Sequence, residues 1–77
     1  MKIVLVSGDD WEGLYINDCL ITEGHKVTVR EVVQAISERL IRLDITYEWK
    51  EADYEWLHVR GDLPQELKKV KFLNDNV

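Results

Sequence analysis

Residues 11–43 read WEGLYINDCLITEGHKVTVREVVQAISERLIRL, a stretch with a turn signal between two short apolar runs at its start and a helical period at its end. Leu14, Tyr15 and Ile16 lead into Asn17-Asp18 and out through Cys19, Leu20 and Ile21, and Asn and Asp tolerate the positive φ of a two-residue hairpin turn. That turn predicts Ile16 opposite Cys19 and Leu14 opposite Ile21 on the drier face. Tyr15 opposite Leu20 and Gly13 opposite Thr22 take the other face, since ladder partners share a face. Thr28 then predicts a helix start: its hydroxyl caps the amide of Glu31, the Glu31 carboxylate reaches back, and Val27 staples onto Val32. Val29, Val32, Val33, Ile36, Leu40 and Leu43 fall on one helical stripe, with Gln34, Ser37, Glu38, Arg39 and Arg42 on the wet side. Such a helix lies on a sheet.

Working outward, Ile3 to Val6 is a near-continuous apolar run suited to a central strand, and Ile45 to Lys50 alternates Ile45, Tyr47 and Trp49 against Thr46, Glu48 and Lys50 as a fourth strand. Asp53 is placed to cap a short helix from Tyr54 to Arg60 that Gly61 ends; the competing reading is a strand over Tyr54 to Val59, entered by a turn over Lys50 to Asp53. Asp62 with Gln65 resembles one more helix start, with Leu63, Leu67 and Val70 on one face, before a frayed tail over residues 74–77. The fold expected is therefore α+β: a small, mainly antiparallel sheet of three to four strands packed on one amphipathic helix, with one or two short C-terminal helices, in a single domain over residues 1–77. Tyr47-Glu48-Trp49 and Tyr54-Glu55-Trp56 repeat a triplet, but their flanks do not align, and a seven-residue offset keeps one face on a helix while reversing it on a strand.

A chain of 77 residues buries only about 60% of its unfolded surface, and its single cysteine rules out an intrachain disulfide as a staple. Cys19, in the hairpin ladder beside Ile16, reads as a buried, inert thiol in a reducing compartment. The opening MKIVLVS is too short for a signal-peptide core, and no apolar run nears the ~20 residues of a membrane span, so the expected location is the cytoplasm. Fifteen acids against ten bases give a net charge of −5, with acids gathered at Asp9, Asp10 and Glu12 and again at Glu48, Glu51, Asp53 and Glu55. Bases cluster only at Lys68, Lys69 and Lys71, so phosphate backbones are repelled and direct nucleic-acid binding is disfavoured.

Chemistry-bearing motifs are scarce. His25 and His58 are the only histidines, no serine or cysteine sits in a nucleophile motif, and Val6-Ser7-Gly8-Asp9-Asp10 lacks the later glycines and the lysine of a phosphate loop. Asp9, Asp10 and Glu12 offer hard oxygen ligands but match no twelve-residue calcium loop. His25 reads as a loop residue bonded to backbone, His58 has no partner identifiable from sequence, and Arg60-Gly61-Asp62 reads as a cap pair rather than an adhesion motif. No catalytic residue, metal site or cofactor is expected. What is unusual is aromatic: three tryptophans and three tyrosines, several beside carboxylates, a pairing typical of interaction surfaces. Tyr15, on the hairpin face away from the expected core, and Trp11 are the rings most expected at the surface.

Trp11-Glu12-Gly13-Leu14-Tyr15-Ile16-Asn17-Asp18, then Leu20-Ile21, Glu23-Gly24-His25, the helix and the later Leu63-Pro64 with Leu67, resemble a group of short bacteriophage and prophage proteins of unassigned function. Asp18 stands where such proteins often carry the glycine of an Asn-Gly turn. The resemblance implies a small accessory protein from a mobile element, a class that often acts by binding and inhibiting or redirecting a host protein. The leading expectation is a non-enzymatic protein that binds a host or defence protein through Trp11, Tyr15, Leu20, Asp9, Asp10 and Glu12. Two other readings compete: a homodimer or higher oligomer holding a nucleotide-like signal with Trp49, Trp56, Lys68 and Lys69, and an acidic nucleic-acid mimic with Glu48, Glu51, Asp53 and Glu55 in a row.

Overall fold

The computed structural model describes residues 1–39 and 45–73; Leu40, Arg42 and Leu43 of the expected helix and the expected tail 74–77 lie outside the described residues. Strands β1 (Lys2–Ser7), β2 (Glu12–Ile16) and β3 (Cys19–Gly24) are followed by helix α1 (Val29–Arg39), strand β4 (Thr46–Glu51), helix α2 (Tyr54–Arg60) and a 3-10 turn at Leu67–Lys69. The four strands form one sheet in the order β3-β2-β1-β4, a small α+β fold. β2 is antiparallel to both its neighbours, whereas β4 runs parallel to β1, so the chain crosses the sheet between β3 and β4 with α1 on the way. The apolar β1 is central, as its composition requires.

Asn17 and Asp18 adopt φ of 49° and 71°, the positive values of the expected hairpin turn, and Ile16 faces Cys19 while Tyr15 faces Leu20. Beyond that the register shifts. A bulge at Ile21 puts Leu14 opposite Thr22 and Gly13 opposite Glu23, one residue past the expected partners. Thr28 caps α1 by accepting the Glu31 amide at 3.2 Å and donating its hydroxyl to the Glu31 carboxylate at 3.3 Å, an arrangement that contributes about 1 kcal/mol. Val27 and Val32 pack into one cluster at that entry.

Both faces of the sheet are covered. On one, Ile3, Leu14 and Ile16 pack with Val27 and Ala35, joined by the half-buried Val32 and Ile36 of α1. On the other, Val4, Val6 and Tyr15 pack under Ala52, Leu57, Leu63, Leu67 and Val70. This second layer corrects the expectation for Tyr15, which is 0% exposed rather than at the surface. Each such fully buried side chain stabilises the fold by roughly 1.5 to 3 kcal/mol. α1 is set by Val32, Ala35 and Ile36, so Val29, 80% exposed, and Val33 lie off its buried stripe, contrary to expectation. Cys19 is exposed, not buried: it opens β3 directly after the Asn17-Asp18 turn, and Glu66, its neighbour on the outer edge, pairs with it through the backbone and leaves the thiol uncovered.

The C-terminal layer is held by specific bonds. Asp53 accepts the Trp56 amide and Gly61 (φ 87°) closes α2 in the left-handed conformation, so the short-helix reading holds. The helix expected from Asp62 does not form. Leu20 N donates to Gln65 O and Leu67 N to Asp18 O, so this stretch uses its backbone on the hairpin edge and keeps only one 3-10 turn, while Leu63, Leu67 and Val70 are buried as expected. Gly13 permits the approach: a Cβ there would collide with Leu63 Cδ1.

Candidate functional site

The residues of the hairpin motif are largely engaged within the fold. Glu23 Oε1 accepts both Trp11 Nε1 at 2.8 Å and Leu63 N at 2.9 Å, tying the β1–β2 loop, β3 and the C-terminal layer together. Glu12 Oε1 accepts Val27 N at 2.8 Å, and the Tyr15 hydroxyl donates to Pro64 O. Burial pushes the Tyr15 phenol far above its ordinary range, with the Glu23 carboxylate adding to the effect and Arg60 opposing it. Tyr15, Glu12 and Leu20 are therefore architectural, Trp11 is half-buried, and of the six residues expected to bind a partner only Asp9 and Asp10 are freely exposed.

Those two acids line a cleft of about 230 Å³ with Trp11, His25, Tyr54, Leu57, His58 and Gly61. The β1–β2 loop supplies the acids, closed by Gly8 N donating to Trp11 O at 2.6 Å, and α2 supplies Tyr54 and His58. His25 Nδ1 lies 3.2 Å from Asp10 O and 3.3 Å from its carboxylate, and the imidazole meets the Trp11 ring edge-on at 5.2 Å between centroids. The bond to backbone expected for His25 is there, and His58 gains a setting that sequence could not supply, 33 residues away. Partial burial raises the Tyr54 phenol above its usual value, and the Glu51 and Asp9 carboxylates add to it. The His25–Asp10 contact is mostly exposed to water, with the two side chains 78% and 86% exposed. No group of three or more metal-ligating side chains occurs among the described residues.

The second feature is on β4. Register partners share a face, so Tyr47 and Trp49 project on the α1 side with Ile3 and Leu5, and Thr46, Glu48 and Lys50 on the other. Tyr47 is 61% and Trp49 53% exposed, with Ile45 next to them in sequence and exposed on the same parity. α1 adds the exposed Val29 and Val33 on that side of the sheet. The helical stripe reads Val29 and Val33 as core, and the sequence leaves Tyr47 open between core and interaction surface, because a regular alternation or stripe does not show where the covering layer ends.

The remaining expected constellations are not brought together. Trp49 lies on the α1 side of β4, while Trp56 packs in the opposite layer beside Asp53, Glu55, Val59, Arg60 and Lys71. Lys68 and Lys69 both pair with Glu66, which holds that carboxyl below its usual range. Glu48 and Glu51 take opposite faces of β4 and Asp53 is occupied as a helix cap, so the four acids form no row. The triplet repeat is split likewise: Tyr47-Glu48-Trp49 lies on a strand and Tyr54-Glu55-Trp56 on a helix. Comparison with known protein families, curated proteins and solved structures finds no match to the chain. No helix of the described residues is long and apolar enough to cross a membrane.

Proposed function

We propose that this chain is a non-enzymatic accessory protein of the bacteriophage type that binds and modulates a host or defence protein in the host cytoplasm, with Tyr47 and Trp49 as its anchor. The observation that carries this reading is the pair of large rings side by side on an edge strand, each more than half exposed. Exposed aromatics are costly to leave in water and are the residues that most often dominate binding energy when a partner buries them. Neighbouring Glu48 and the net charge of −5 favour a partner with a basic contact surface. The resemblance of residues 11–25 to short phage and prophage proteins supports the provenance, and the absence of a nucleophile motif in the sequence supports a role in binding.

The test is affinity purification of the tagged chain from a bacterial host lysate, alongside Tyr47→Ala/Trp49→Ala and Asp9→Ala/Asp10→Ala. A stoichiometric host protein captured by the wild type and lost with the ring variant is the expected result. Equal recovery from both variants, or no protein at stoichiometric yield, would remove the reading. Loss only with Asp9→Ala/Asp10→Ala would move the anchor to the cleft.

A further inference from the structure

We infer that the outer edge of β4 receives an extended, antiparallel segment of the partner protein by strand addition, with a lysine or arginine opposite Glu48 and apolar side chains against Tyr47 and Trp49. This rests on the binding role proposed above and specifies the chemistry of the partner.

The inference starts from the direction of the backbone groups. Thr46 N donates to Met1 O at 2.8 Å and Ala52 N to Ser7 O at 2.9 Å, so the even-numbered residues of β4 spend their N–H and C=O groups on β1. The odd-numbered residues turn theirs outward. At the C-terminal end those outward groups are taken: Leu73 N donates to Glu51 O at 2.9 Å and Asp53 N to Lys71 O at 2.8 Å, around an antiparallel bridge between Ala52 and Phe72. Upstream, the outward groups of Tyr47 and Trp49 have no partner among the described residues. Among the described residues this stretch is an open ladder, and the same edge already takes an antiparallel neighbour at residues 71–73.

Side-chain chemistry then selects the occupant. Facing the edge strand from one side, an incoming segment meets Tyr47 and Trp49 and can bury their rings. From the other it meets Glu48, which is exposed and makes no ion pair among the described residues. The neighbouring cations are engaged elsewhere, Lys50 over the Phe72 ring at 4.3 Å and Lys71 with Asp53 at 3.6 Å. A cross-strand cation opposite Glu48 is therefore favoured, and an acid there is opposed. A second copy of this chain fits less well: self-pairing that sets Tyr47 of each copy opposite Trp49 of the other also sets Glu48 directly opposite Glu48.

The probe is the end-blocked peptide Val-Lys-Val-Lys-Val-Lys-Val, titrated by calorimetry against the full chain up to about 1 mM. In antiparallel pairing its valines lie opposite Tyr47 and Trp49 and exchange the backbone bonds, so a peptide N-methylated at the valines loses them and should bind about tenfold more weakly or worse. Glu48→Lys should also weaken the unmodified peptide about tenfold, while Glu55→Lys, the same change in net charge on α2, should leave it within about twofold. Undiminished binding of the methylated peptide, equal weakening by both lysine variants, or no binding of the plain peptide each overturns strand addition. Loss on Tyr47→Ala/Trp49→Ala with methylation tolerated overturns strand addition alone and keeps the aromatic anchor. Binding indifferent to the rings overturns the anchor as well.

Discussion

Tyr15 occupies a strand with a neighbour on each side and a packed layer on each face, while Tyr47 and Trp49 occupy a strand with one full-length neighbour and only the partial cover of α1. Both stretches carry large aromatic residues, but Tyr15 sits in an apolar run, Leu14-Tyr15-Ile16, whereas Tyr47 and Trp49 alternate with Thr46, Glu48 and Lys50. Position in the sheet, central against edge, accompanies the difference between a buried tyrosine bonded to Pro64 O and rings that are more than half exposed. Aromatic residues in a small domain thus divide into those that assemble the fold and those left exposed, the second group being the one proposed to meet a partner, and the strand order separates them here.

The comparison breaks first at Tyr15. Tyr15→Ala should cost about 3 to 5 kcal/mol by urea unfolding, a large part of the stability of so short a chain, because it empties the centre of the C-terminal layer. A loss below about 1 kcal/mol would mean that this layer does not pack as described. Gly13→Ala comes next. The new methyl would collide with Leu63 and press on Leu20, so a loss of about 1 to 3 kcal/mol is expected, relieved when Leu63→Val is added; a neutral single variant would contradict the close approach.

Acid and alkali probe the same layer. Asp53 is held below its ordinary carboxylate value mainly by the Trp56 amide, and Glu66 by the hydrogen bonds of Lys69 and Lys68. A folded pKa below the unfolded one gives stability that is complete above about pH 5 and is lost as the pH falls through the folded values. The Tyr15 phenol is displaced the other way by burial, so its contribution is complete below about pH 10 and is lost as the pH rises further. Unfolding midpoints should decline at both ends, with Tyr15→Phe flattening the alkaline limb and Asp53→Asn the acid one; limbs unchanged in those variants would detach the titrations from these residues. The smallest effect is expected on β4, where Tyr47→Ala/Trp49→Ala should shift stability by no more than about 0.5 kcal/mol per site.

The hairpin, its positive-φ turn, the Thr28 cap, the central β1, β4 and the Asp53-to-Gly61 helix were all legible, because each depends on neighbours within a few residues. What escaped depended on partners far along the chain. Tyr15 was expected at the surface because nothing local announces that Leu63 and Pro64, nearly fifty residues on, cover its face. Leu14 was given the wrong partner because a bulge at Ile21 leaves no mark in an apolar run, and Cys19 and Val29 were assigned to the core from pattern alone. The cleft of Asp10, His25 and His58 was illegible for the same reason, since it joins a loop, a second loop and α2. Tyr47 and Trp49 alternate as a half-buried strand should; only the order β3-β2-β1-β4 places them at an edge.

The most direct measurement is the capture stoichiometry of a host protein by the wild-type chain and by Tyr47→Ala/Trp49→Ala, with both shown to unfold at the same urea midpoint. If these rings are kept for a partner, the variant stays folded and loses the captured protein. A variant that stays folded and captures the same protein in the same amount would contradict the division between architectural and partner-facing aromatics.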